Sequence, residues 1–524
     1  MPEIDRLAAS RRETPAARHI PYTAHVSDRV VKTDAGDYVQ VFRLVGASFE
    51  SADDEQLNNW HERLNVTWRN IASPNVALWV HVVRRREYAL SSTVTATGFA
   101  DALARKYHAR LQRETLMVNE LYLSVVYRPV AGAATGTLAR ILSRSTSGAD
   151  KANLGDAVEA CEKLAQTVSA SLCRYEPVGL GIHQVDGRYR SSLLEFLGVL
   201  INGEWQAVPL PRAPLNEVLA TTRPLFGNEV IEYRQPSTTR LGAVLGIKEY
   251  PTPTSVGMYN ALLSAPFAFV LTQSFGFLTK GTAQGLLQRQ YNRMANAGDF
   301  AVSQAEELKD ALDALTANEF AVGDHHFTLQ VLTPAMNAHV DAAGQLLKRL
   351  NDDVALARSL LADCGMTVAR EDLALEAAFW AQLPGCFSLR PRKAPISSRN
   401  FAAMAPFHNY PVGRATGNHW GDALALLITS ARSPYYFNLH ASDPRDPDGG
   451  SRKDTGHTFI CGPTGSGKTV LIGFLISLLA GQSATQVVFD KDQGLEILVR
   501  ALGGVYLPLK PGEPTGFNPL QLDP

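Results

Sequence analysis

The stretch from His457 to Leu479 constrains this chain more than any other. It reads His-Thr-Phe-Ile-Cys, then Gly462-Pro463-Thr464-Gly465-Ser466-Gly467-Lys468-Thr469, then Val470-Leu-Ile-Gly-Phe-Leu-Ile-Ser-Leu-Leu. This is G-x-x-x-x-G-K-[ST] between a short apolar strand and a helix, the context that separates the motif from a chance Gly-rich loop. Glycines let the backbone curl so that successive N–H groups point inward as an anion nest. The positive end of the following helix faces the same hollow. In such a loop Lys468 reaches the β- and γ-phosphates of a nucleoside triphosphate, and the Thr469 hydroxyl completes the shell of a Mg²⁺ ion. Gly462 through Thr469, with Val470 behind them, are therefore the candidate residues for ATP and Mg²⁺; Lys468 and Thr469 are the candidate catalytic pair. The helix Val470–Leu479 is apolar nearly all round, so it is expected inside an α/β domain. The loop alone does not choose between ATP and GTP.

At 524 residues the chain has material for three or four domains. A formal net charge of −1 gives no global field that would recruit nucleic acid or an anionic membrane. The five cysteines (Cys161, Cys173, Cys364, Cys386 and Cys461) are scattered without C-x-x-C spacing. That pattern argues against a disulfide framework or a zinc site and fits a reducing compartment. The first residues carry no apolar signal region. Pro251–Thr279 lacks any charged residue, yet Asn260, Gln273 and Pro266 make it a poor membrane span. It reads better as a helix over Met258–Ala265 and a strand over Phe267–Phe277, so no transmembrane helix is expected.

Upstream of the loop, helical and strand-like segments alternate, which indicates an α+β or α/β layered domain, so that the chain as a whole is expected to be of the α/β class. Strands are expected at Tyr38–Leu44, Val76–Val83, Asn119–Tyr127, Val230–Tyr233, Leu241–Ile247, around Phe327–Val331 and near Met366–Arg370. Helices are expected over Leu57–Ile71, Phe99–Leu111, Asp156–Leu172, Arg188–Ile201, Ala283–Ala295, Ser303–Thr316, Pro334–Leu350 and Asp372–Gln382. Arg84-Arg85-Arg86 reads as a solvated guard at a strand end. Ala131–Asp150 reads as a flexible connection and Pro209–Pro214 as a joint between domains. The organisation expected is an N-terminal α+β subdomain over 1–208, a second over 209–400, and the first part of a P-loop domain over 401–524. Within the last part, strands at Ala423–Thr429 and Tyr435–Leu439 lead through the turn Asp443–Gly450 into the loop. A further strand, Gln486–Phe489, ends at Asp490, with Asp492 and Glu496 behind it. These acids stand near the nucleotide if the strands are parallel. His325-His326 is not a metal pair, because neighbours on a strand face opposite ways.

Several short motifs carry a family resemblance. Gly462–Thr469, Phe489-Asp-Lys-Asp-x-Gly-x-Glu496 and Gly512-x-Pro-Thr-Gly-Phe-Asn-Pro-Leu520 resemble the CagE/TrbE/VirB ATPases of bacterial type IV secretion and conjugation systems. Ile20-Pro21-Tyr22, Ile247-Lys-Glu-Tyr250, Leu271-Thr-Gln-Ser-Phe275 and Ser397-Ser-Arg-Asn-Phe401 fit the same family. Among its branches, the resemblance is strongest to those of pertussis-toxin-type and conjugative systems, and it runs over nearly the whole chain. It implies an N-terminal α+β region that docks on the inner-membrane complex, followed by the start of a RecA-like motor. It further implies a homo-hexamer on the cytoplasmic face of the bacterial inner membrane, among the system's other subunits and ATPases. The acidic Walker B strand end and the arginine finger of such motors find no match here, so the motor is expected to be incomplete. Three functions follow: an ATPase energising assembly and substrate passage, a docking module that does not hydrolyse, or a DNA translocase. The near-neutral charge gives the last no support, and nucleic-acid contact stays open.

Overall fold

Long β-branched and aromatic runs build one large sheet. The computed structural model describes residues 15–87, 98–129, 147–235, 237–295, 302–337, 342–418, 421–440, 456–482 and 484–514. The chain divides into two compact units: residues 1–85 with 117–410, and residues 86–116 with 411–524.

In the first unit the main strands are Tyr22–Ser27 (β1), Val30–Thr33 (β2), Tyr38–Leu44 (β3), Val76–Glu87 (β4), Leu116–Tyr127 (β5), Arg223–Phe226 (β6), Ile231–Arg234 (β7), Thr238–Glu249 (β8), Ala268–Phe277 (β9) and Val322–Leu332 (β10). They lie in the order β1-β2-β3-β5-β4-β9-β10-β8-β7-β6, and four short strands join at the sides to make fourteen. β9 pairs antiparallel with β10 from Ala268 opposite Leu332 to Phe277 opposite Gly323. It pairs antiparallel with β4 on its other side, where Thr272 faces His81. β9 is buried along nearly its whole length, its central Thr272, Gln273 and Ser274 included, as a strand covered on both faces must be. On one face Val83 and Val270 pack with Phe196 and Leu200 of the helix Ser192–Asn202 and with Trp380. On the other, Leu78 and Phe275 meet Leu64 and Trp68 of the helix Asp54–Asn70 (α1) and Phe401. Further along that face Phe269 and Leu329 meet Leu350 and Leu361 of the helix Ala342–Ala362. Each buried Phe or Leu here contributes about 2 kcal/mol of apolar transfer.

The structure departs from the sequence expectations in several places. The sheet crosses residue 208 without a break, since β4 pairs with β9, so residues 1–208 and 209–400 do not form two separate sheets. The arginine run is not a solvated guard, because β4 sits mid-sheet. Arg84 is 1 % exposed; its Nε and Nη1 donate to the Ala265 carbonyl and to Asn119 Oδ1. Burial lowers its pKa to about 10. Arg85 reaches Glu120 at 3.1 Å. Residues 188–191 form a strand, and the helix begins only after Ser191, whose hydroxyl accepts from the Leu194 N–H. Met336–Asn337 is a short strand, and the helix expected from Pro334 starts at Ala342. Most of the connection 131–150 and the turn 443–450 lie outside the described residues.

The second unit holds the helix Gly98–Leu111 (α2), an antiparallel hairpin of Ala425–Ile428 with Pro434–Phe437, the helix Lys468–Leu479 (α3) and the helix Glu496–Ala501 (α4). Its core is small: Ala104, Ala425, Leu475 and Leu478, with Phe437, Ile460 and Phe474 against them. Sequence proximity assigned α2 to the N-terminal part, but its apolar face packs on α3. The Tyr107 ring centroid stands 4.6 Å from that of Phe474, and its hydroxyl donates to the Leu426 carbonyl at 2.8 Å. Gly473 permits the close crossing of α3 and α4, since a Cβ there would lie 2.9 Å from Leu498. Neither 456–463 nor 484–490 forms the expected strand. A parallel strand depends on neighbours for its ladder, and the described residues supply none. Phe459, Val487 and Phe489 accordingly stand 89 %, 78 % and 90 % exposed. No helix among the described residues is long and apolar enough to cross a membrane.

Candidate nucleotide-binding site

The loop 462–469 is shaped by its glycines. Gly465 and Gly467 take φ of +83° and +89°, left-handed conformations that disfavour any residue with a Cβ. At Gly462 a Cβ would lie 2.8 Å from Ser466 Oγ. Gly467 caps the N-terminus of α3 without a side-chain hydrogen bond, so the first-turn N–H groups are left to a ligand or to water. Lys468 folds back over the loop, and Nζ donates to the carbonyls of Gly462 at 2.7 Å and Pro463 at 2.9 Å. The ammonium thus sits within the curl of the loop. Pro463, Thr464, Ser466, Thr469 and Val470 are all exposed. This cradle fits a chain of phosphates, and Thr469 offers a hydroxyl at the first turn for a hydrated divalent cation.

The acids behind the loop are placed less simply. Asp490 Oδ2 accepts from the Leu495 N–H at 2.8 Å and so organises the turn that starts α4. That turn abuts the loop: a Cβ on Gly494 would lie 3.3 Å from Thr469 Cγ2. Glu496 is bonded to Arg500 one helical turn on, and Asp492 is exposed. Sequence reasoning placed these acids near the nucleotide and missed α2. Tyr107, Phe474, Leu427 and Thr469 all line one groove of about 1290 Å³ beside the loop. The signal available was the amphipathic pattern Phe99–Leu111, which gives no hint of its distant partner.

The histidine pair belongs to the first unit and is structural. The ring of His325 lies between the Tyr250 hydroxyl, 2.8 Å from Nδ1, and Gln273 Oε1, 3.2 Å from Nε2. His326 faces the other side of β10, near Arg390, with neither nitrogen partnered. Burial drives both far down, to about 3, so both stay neutral.

Two family profiles match the chain. One is the CagE, TrbE, VirB family, component of type IV transporter system, over residues 179–392. The other is the N-terminal domain of the type IV secretion system ATPase VirB4/TrbE, over residues 29–134. The chain belongs to the CagE/TrbE/VirB family of type IV transporter components. Among curated relatives, the type IV secretion system protein virB4 of Bartonella quintana is 41% identical over 517 residues. PtlC of Bordetella pertussis is 38% identical over 534, and virB4 of Brucella suis 36% over 528. Each alignment takes in 98% of this chain but only 62 to 63% of the relative. The chain thus spans about three fifths of the length of the curated relatives it matches.

Proposed function

We propose that the chain is the nucleotide-binding part of an ATPase that energises assembly of, and substrate passage through, a type IV secretion or conjugation system. The observation that carries this is the loop at the start of α3, with left-handed Gly465 and Gly467 and Lys468 drawn into its curl, in a chain of the VirB4-type family. Gly462 through Val470 hold the nucleotide, Lys468 its terminal phosphates, and Thr469 the Mg²⁺. When bound, Mg²⁺ neutralises phosphate charge. The residues of this chain orient the phosphates by backbone N–H groups and by one ammonium. The P-loop unit is the beginning of a RecA-like motor working as a hexamer at the inner membrane. The sheet unit, spanning both sequence-derived N-terminal subdomains, docks its partner subunits there.

A docking module that does not hydrolyse is favoured by a separate observation. Asp490 and Glu496, two of the acids behind the loop, are committed to Leu495 and Arg500. Nucleotide binding and turnover with Mg²⁺, with Lys468→Ala as control, separate the readings. Turnover lost in the variant establishes the ATPase. Binding lost in the variant, without turnover in the parent, leaves a docking module with a nucleotide ligand. Equal binding by both chains refutes the loop assignment.

A further inference from the structure

The groove beside the loop has a wall that no loop motif contributes. Gly467, Thr469 and Val470 form one end of it, so it is continuous with the seat of the phosphates. α2 and the turn after it form the facing side, through Tyr107 and three cations, Lys106 and Arg110 on the helix and Arg113 just past its end, with Glu114 as the one acid in the lining. Among the described residues none of these three cations is held in an ion pair. The rest of the lining is chiefly apolar, including Ile428 of the hairpin and Leu498 of α4. A concave, mainly apolar surface with a few converging charges is the usual form of a small-molecule site. The particular charges select a polyanion whose remaining part is flat and apolar.

We propose that α2 is the second wall of the nucleotide site. On this reading the base and ribose of a nucleoside triphosphate lie along the groove against Tyr107 and Ile428, and Lys106, Arg110 and Arg113 face its anionic end. The proposal rests on the nucleotide reading of the loop. Its consequence follows from chain order. α2 lies in sequence between β4 and β5, neighbouring strands in the middle of the large sheet. A ligand that binds α2 therefore acts on a segment tethered at both ends to that sheet.

Photolabelling of the 524-residue chain with 8-azido-ATP and Mg²⁺, followed by peptide mapping, tests this. Affinity for a fluorescent ATP analogue is measured alongside in Arg110→Gln, Lys106→Gln and Arg110→Lys. The expected result is label within residues 98–114 or at 427–428, about tenfold weaker binding for the glutamine variants, and recovery in Arg110→Lys. Binding that depends on Lys468, with label outside the groove and affinity unchanged by the α2 variants, overturns the proposal and leaves the loop reading intact. Labelling of the groove that fades as protein concentration rises also overturns it, by showing that a second copy occupies the groove. Binding that is absent, or indifferent to Lys468→Ala, removes the loop reading and the proposal together.

Discussion

Acidification is expected to loosen the sheet unit through its buried histidines, and His81 isolates the effect. This residue sits on β4, fully buried, with Nε2–H donating to the Gln382 carbonyl at 2.8 Å and Nδ1 unpartnered. Phe196 packs on its ring. Burial lowers its pKa from 6.5 to about 4. A histidine whose folded pKa is depressed favours the folded state when neutral. Its contribution is therefore present above about pH 6.5 and is lost as pH falls toward 4. A gap of about 2.5 in pKa corresponds to roughly 3.4 kcal/mol in full, of which about 2 kcal/mol is already gone at pH 5. His325, His326 and His408 are depressed in the same direction by burial, so the parent chain shows a steeper slope than one site gives. His81→Gln keeps a donor for the Gln382 carbonyl and removes the titration. Urea midpoints followed by tryptophan fluorescence at pH 7.5, 6 and 5 report on this unit, because Trp68, Trp79 and Trp380 are buried in it. The variant is expected to lose stability at pH 7.5 yet to show a pH slope shallower by about 1.2 kcal/mol per unit between pH 6 and 5. Equal slopes in parent and variant would refute the argument.

Trp68→Ala, which empties the contact with Phe401 and Phe407, is expected to cost about 3–5 kcal/mol in the same urea experiment. Arg392→Met leaves the buried carboxylate of Glu371 without its ion-pair partner. Because Arg392 is partly exposed, the expected loss is about 2 kcal/mol, and adding Glu371→Gln is expected to recover part of it. Gly473→Leu drives a side chain into Leu498. Limited proteolysis of this variant is expected to cleave within 456–514 faster than in the parent, with the sheet unit's cleavage unchanged.

Local chemistry made much of this legible and topology hid the rest. The loop motif states its own geometry, because a glycine at a left-handed position and a lysine six residues after the first glycine leave few alternatives. β4, β5, β9 and β10 were readable as β-branched and aromatic runs, which sheets with both faces covered require. Arg84 was misread because three consecutive arginines imply solvent, and only pairing order reveals that Ala265 and Asn119 satisfy the guanidinium. The strands flanking the loop were legible as sequence and did not form, since a strand is a property of its neighbours. Ser191 is an N-cap that the helix pattern Arg188–Ile201 overran, as boundaries are set by one side-chain hydrogen bond and not by periodicity.

The dependence of α2 on α3 sets an order of events at the ribosome. Leu111 is polymerised roughly 360 residues before Lys468, and at about 5–20 residues per second the delay is about 20–70 s. Throughout that interval Ala104 and Tyr107 have no Phe474, Leu475 or Leu478 to cover them, while β4 and β5 on either side of α2 already have each other. The nascent chain therefore carries an uncovered helical face on the segment that connects two strands already free to pair, a transient target for holding chaperones. A piece of the protein expressed from residue 411 onward meets the converse fate, because it makes the P-loop helix without the one that packs against it.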